Sequence, residues 1–186
     1  MKALKIIVLV LVAIAALLVF SAWRIGLFAP VHIVEKEMGP YYLIYDDHKG
    51  PYQNIYQTIN KVRKQVKEKY GLEAVSTFGQ YIDDPKKVKP ADLRALAGVV
   101  VGSLPDSVEL PLKMATYDSV LALVSETDVK TKASYMIGPF KVYPKFNKYI
   151  KEHGIACAET ALGKGSLEIY TFEPEKIIYV FPITKK

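Results

Sequence analysis

Gly50-Pro51-Tyr52 returns as Gly138-Pro139-Phe140, and each triplet runs into an amphipathic stretch that stops at a glycine and an aliphatic residue, Gly71-Leu72 and Gly154-Ile155. This echo constrains the chain more than any other feature. A supersecondary unit used twice packs its copies about a pseudo-twofold axis, and the cleft between the halves is the natural ligand site. After the first triplet, Ile55, Tyr56, Ile59, Val62, Val66 and Tyr70 recur at three- and four-residue steps, while Gln53, Asn54, Gln57, Lys61, Lys64 and Lys67 fall on other faces. That spacing predicts a helix over 52–70, stopped by Gly71. After the second, Tyr143, Phe146, Tyr149 and Ile150 predict a helix from about Val142 to His153, with Pro144 confined to its first turn. Gly50 and Pro51 turn a strand into a helix, since proline in a first turn forfeits no hydrogen bond.

Strands complete both units. Tyr41 to Asp47 is a tyrosine-rich apolar run. Val75 to Ile82 ends at Asp83-Asp84-Pro85, and Ala95 to Leu104 is nearly all apolar and so central in a sheet. A short edge piece is expected over Leu110 to Met114. Tyr117 to Val124 opens the second unit, and Ser166 to Phe172 and Lys176 to Ile183 close it across Glu173-Pro174-Glu175. Each half therefore reads β-α-β-β. The fold class is α+β, two pseudo-repeated β-α-β-β units forming a largely antiparallel sheet with two helices, preceded by one transmembrane helix.

That first helix comes from Ile6 to Trp23, which carries no charge between Lys2 and Lys5 on one side and Arg24 on the other. It spans about 27 Å, and Ile25 to Phe28 extend it if Arg24 snorkels. A cleaved signal peptide has a shorter apolar region and a small-x-small site, which Val19-Phe20-Ser21-Ala22-Trp23 supplies poorly. The expectation is an uncleaved anchor over 1–29, with residues 6–28 in the bilayer, and one ligand-binding domain over 30–186. Residues 28–39 read as a short connector. Lys2 and Lys5 against Arg24 put the N-terminus in the cytoplasm and the domain on the other side. The formal charge of +6 comes from scattered lysines with no arginine-rich strip or nucleic-acid motif, so no nucleic-acid partner is expected. Cys157 is alone, which excludes an intramolecular disulfide.

Metal and nucleophile signatures are absent. His32, His48 and His153 are far apart, no Gly-x-Ser-x-Gly elbow occurs, and Gly163-Lys164-Gly165 lacks the end of a phosphate loop, so no metal and no cofactor is expected. Asp83 and Asp84 read as a strand-ending turn. The charge in an awkward place is Glu168. Alternation puts Ser166, Glu168, Tyr170 and Phe172 on one face and Leu167 and Ile169 on the other. If Leu167 and Ile169 pack under the helices, Glu168 faces away from them, either into solvent or at the floor of an aromatic cleft. A carboxylate in the cleft would suit cationic, aromatic ligands, and thirteen tyrosines are available to wall it.

Taken in order, His48-Lys49-Gly50-Pro51-Tyr52, Tyr81-Ile82-Asp83-Asp84-Pro85, Leu93-Arg94-Ala95-Leu96-Ala97-Gly98, Leu167-Glu168-Ile169-Tyr170 and Ile178-Tyr179-Val180-Phe181-Pro182-Ile183 resemble the gyrase-inhibitor-like (GyrI-like), SOUL/haem-binding-related small-molecule-binding domains. The resemblance covers about Val31 to Ile183. It implies two β-α-β-β units around a pocket, and by motif position it makes Glu168, Tyr170, Tyr52 and Tyr179 the ligand-binding residues, with no catalytic residue assigned. An anchor before such a domain is also similar in layout to a receptor for selective autophagy of the endoplasmic reticulum, whose tail carries its partner-binding motif. This chain ends at Lys186, so that adaptor role is not expected to carry over. Some members of the family hydrolyse strained electrophiles with a glutamate and aromatics. Glu168 would serve a hydrolase, but Trp23, in the anchor, is the sole tryptophan, which excludes a tryptophan-dependent version. The reading is a membrane-anchored binder of a small aromatic or cationic molecule, with a hydrolase or a protein-interaction module as alternatives.

Overall fold

Alternating or continuous apolar runs in the central strands and a three-four apolar stripe on two helices give a sheet whose middle is buried on both faces. The structure, a computed structural model, describes residues 2–184. Helix α1 (Lys2–Arg24) comes first, followed by β1 (Val34–Met38), β2 (Tyr41–Lys49), α2 (Ile55–Tyr70), β3 (Ala74–Tyr81), β4 (Arg94–Val101) and β5 (Lys113–Tyr117). Then come β6 (Val120–Asp128), α3 (Ser134–His153), β7 (Ala156–Cys157), β8 (Leu167–Thr171) and β9 (Lys176–Thr184). The sheet runs β1-β6-β9-β8-β3-β4-β2-β5, with β7 off β9, and all its pairings are antiparallel.

The expected doubling is built into that order. In the first unit β2 pairs β4, which pairs β3; in the second β6 pairs β9, which pairs β8. The two units join where β3 meets β8, so the pseudo-twofold axis passes between the second strands of the halves. Each outer edge gains one extra strand, β5 on β2 and β1 on β6. β1 lies inside the stretch read as a connector, and β7 was also not expected.

One face of the sheet curls on itself, enclosing Leu43, Phe78, Val100, Tyr117, Val124, Leu167, Ile169 and Val180. On the other face α2 lays Val62 and Val66 on Ile44, Val99 and Val101, and Ile55 and Ile59 on Ala95 and Ala97. α3 lays Val142 and Phe146 on Leu123, Ile177, Tyr179 and Ile183. Gly71 and Gly154, at φ 65° and 61°, end the two helices in the left-handed conformation that glycine adopts without strain.

Further sequence expectations need correction, among them the strand expected over Tyr117 to Val124, since Tyr117 ends β5 and β6 begins at Val120. α2 is preceded by a 3-10 turn at Tyr52–Asn54, with Pro51 just outside it in an extended conformation. α3 begins at Ser134, so Gly138, Pro139 and Pro144 lie inside it. Tertiary packing of Val142 and Phe146 holds the helix together although each of the two interior prolines costs roughly 3 kcal/mol. Finally, Leu167 and Ile169 do not pack under the helices. They fill the inside of the curl, which turns Glu168 toward α2 and α3.

α1 is long and apolar enough to cross a membrane and is 0% buried. A signal sequence passes the same test of length and composition.

Candidate ligand site

The face of β8 that carries Glu168 lies on the seam between the two halves. Glu168 stands opposite Gly79 of β3 and Tyr179 of β9, so the three share one row across the sheet. Tyr81 lies two residues along β3 from Gly79, and Tyr170 two residues along β8 from Glu168. α3 contributes Tyr143 from above.

The carboxylate is 2% exposed. Tyr143 donates to Oε1 at 2.6 Å and Tyr170 to Oε2 at 3.0 Å. Each phenol has one proton to give, so the next contacts have a direction. Tyr81 Oη lies 2.8 Å from Tyr170 Oη and donates to it, and Ser166 donates to Tyr143 Oη at 3.2 Å. Two chains of hydroxyls thus converge on Glu168 and polarise one another.

Two donors do not replace the water that burial removes. Burial pushes the Glu168 carboxyl up to about 7, against the downward pull of the Tyr143 and Tyr170 hydroxyls. Burial and the nearby carboxylate together hold the Tyr81, Tyr143 and Tyr170 phenols well above the usual tyrosine range. All three therefore stay protonated donors.

Of the expected site residues, Glu168, Tyr170 and Tyr179 come together on one row and one strand. Tyr179 is fully buried, with its ring edge-on to Tyr143 at 5.9 Å. Burial and Glu168 push its hydroxyl pKa up. Its hydroxyl finds no aligned hydrogen-bond partner. Tyr52 stands one ring away. It meets Tyr81 edge-on at 4.7 Å, while its hydroxyl lies 2.8 Å from the Asp83 carbonyl and accepts from the Asp83 N–H at 3.0 Å. Tyr52 thus offers the site a ring, its hydroxyl being engaged by backbone. Asp83 itself grips Arg94 through both carboxylate oxygens, which agrees with a strand-ending turn.

Sequence reasoning missed Tyr81, Tyr143 and Tyr135 as site residues. Tyr135 of α3 stacks obliquely on Tyr170 at 5.8 Å and donates to Glu175 at 2.7 Å. The period-two pattern of β3 could have found Tyr81. Tyr135 required the correct start of α3, whereas Tyr143 lies within the helix that the sequence predicts and required the direction in which Glu168 faces.

No family model matches the chain, and no curated protein does. Solved structures do. The crystal structure of the EcmrR C-terminal domain superposes with a TM-score of 0.63 at 15% identity, over 84% of this chain and 99% of that domain. The two share one fold. A cryo-EM structure of EcmrR bound to DNA gives a TM-score of 0.64 at 16% identity and covers 100% of this chain, α1 included, and 68% of that one. SAV2435 bound to tetraphenylphosphonium gives 0.51 at 12% identity, over 82% of this chain and 94% of that one.

Proposed function

We propose that residues 30–186 of this chain bind a small aromatic or cationic molecule between α2 and α3, with Glu168 as the charge on the floor and Tyr52, Tyr170 and Tyr179 in the walls, and that residues 1–29 anchor the domain to a membrane with the N-terminus in the cytoplasm. One observation carries the reading. Glu168 is buried beneath phenols, and no cation pairs with it among the described residues. A buried carboxylate without a counter-ion is costly, and a ligand cation removes that cost. Tyrosine rings around it supply the faces on which a cation or an aromatic group rests. The shared fold with SAV2435, solved with a lipophilic cation, supports the ligand class.

Calorimetric titration of the full chain in phosphatidylcholine nanodiscs with tetraphenylphosphonium and a panel of cationic dyes, blanked against empty discs, tests it. Glu168→Gln is expected to weaken binding by about tenfold to a hundredfold, the worth of a hydrogen bond or contact to a charged group. Unchanged affinity in that variant refutes the site. A second reading has the burial of Glu168 in its favour, since a carboxyl pushed up to about 7 is poised for proton transfer at neutral pH. As a hydrolase the chain would use Glu168 to activate water, and turnover of an activated electrophile that survives Glu168→Gln would end that reading.

A further inference from the structure

Many lysines of the domain have acidic partners. Lys36 and Lys176 share Glu126, Lys61 reaches Asp46, Lys69 reaches Glu109, and Lys113 reaches Asp47. The corner where the chain leaves α1 is different. There Lys141 of α3 donates to the carbonyls of Gly26 at 2.6 Å and Ala29 at 2.7 Å, fastening the exit turn to the domain. Lys130 runs beside the same turn, its Cδ lying 4.0 Å from where a side chain on Gly26 would begin. Lys145 is one helical turn beyond Lys141. None of Lys130, Lys141 and Lys145 forms an ion pair among the described residues. Burial, and then the charges of Lys145 and Lys130, depress the Lys141 pKa, so the corner is a region of uncompensated positive potential.

Depth selects the occupant. α1 has 23 residues, about 35 Å of helix, which exceeds the roughly 30 Å hydrocarbon core and brings Arg24 and the exit turn to headgroup level. Trp23, Leu27 and Phe28 are exposed there, at 60%, 44% and 62%, in the manner of residues at a membrane interface. We propose that this corner binds the phosphate of anionic phospholipids, with Arg24, Lys130 and Lys145 around the headgroup and Lys141 holding the turn that presents them. The inference rests on reading α1 as a membrane span.

The full chain is reconstituted in phosphatidylcholine nanodiscs doped with acyl-labelled phosphatidylglycerol or with the same label on phosphatidylcholine, and energy transfer from Trp23, the only tryptophan, reports which lipid gathers at the helix. Labelled phosphatidylglycerol should be enriched about tenfold over labelled phosphatidylcholine, at about fivefold per engaged basic residue less competition within the lipid annulus. The enrichment should fade with added salt. It should be lost in the double variant Lys130→Glu/Lys145→Glu and kept in Lys86→Glu/Lys89→Glu, an equal change of charge in the β3–β4 loop at the opposite end of the strands. Equal transfer from both lipids, enrichment that ignores salt, the same loss in both double variants, or complete displacement by inorganic phosphate each overturns the headgroup site. A chain that fails to float with discs of either composition overturns the anchor reading beneath it, and that result is distinct from one that floats and shows no lipid preference.

Discussion

A carboxylate 2% exposed and held by two phenols must be neutralised by a proton or a cation. The proton leaves a mark on stability. Because the folded carboxyl is raised to about 7, above its ordinary 4.5, both states are protonated at low pH and Glu168 then costs nothing. As pH rises between those values the unfolded chain loses its proton first, so stability falls until the folded carboxyl also ionises. The loss amounts to about 3 kcal/mol for a shift of this size. Denaturant melts between about pH 5 and pH 8 should show wild type losing stability relative to Glu168→Gln as pH rises, with the variant the more stable at the alkaline end. The cation has the opposite sign. Its affinity rises as the carboxylate ionises, so tetraphenylphosphonium should bind about tenfold more weakly near pH 6 than near pH 8, and that dependence should vanish in Glu168→Gln. The variant that stabilises the empty protein is thus the one that disables it.

At the scale of elements, α3 carries both the best and the poorest of what the sequence could tell. Of its buried stripe, Phe146 was legible as part of a period with Tyr143, Tyr149 and Ile150, and Gly154 as the end. Its first two turns were not, because Gly138-Pro139 looks like a strand-to-helix corner when read beside Gly50-Pro51. The structure gives Gly138 another task. A Cβ there would lie 2.0 Å from the Tyr179 hydroxyl, so the glycine is the gap through which β9's tyrosine reaches up against the helix. Gly138→Ala should cost about 2 kcal/mol, the usual price of overpacking, and adding Tyr179→Phe should recover most of it. Chemical denaturation of the two single variants and the double settles whether that contact is the cause. Strand β8 shows the reverse case. Its alternation sorted Glu168 from Leu167 and Ile169 correctly, but which face meets the helices depends on how the sheet curls, a long-range property that no local pattern encodes.

At the scale of the whole molecule, the doubled β-α-β-β plan was readable because each half repeats the same order of apolar runs and breaks. The extra edge strands β1 and β5 belong to no repeat and were blurred for that reason. α1 stands apart from this packing, being 0% buried, so its removal should leave the rest intact. A chain of residues 25–186 should melt within about 2 °C of the full chain in thermal circular dichroism, since only a change in buried contacts would move it further. Such a chain would still contain Gly26 and Ala29, the two carbonyls that Lys141 holds. Lys141 leaves α3 two positions before Tyr143, whose phenol closes over Glu168. One short stretch of helix therefore grips the exit from α1 with one side chain and lids the carboxylate with another. If α3 lifts to admit a guest, it must break those two bonds or swing the root of α1 with it, so uncovering Glu168 and tilting α1 become a single mechanical event.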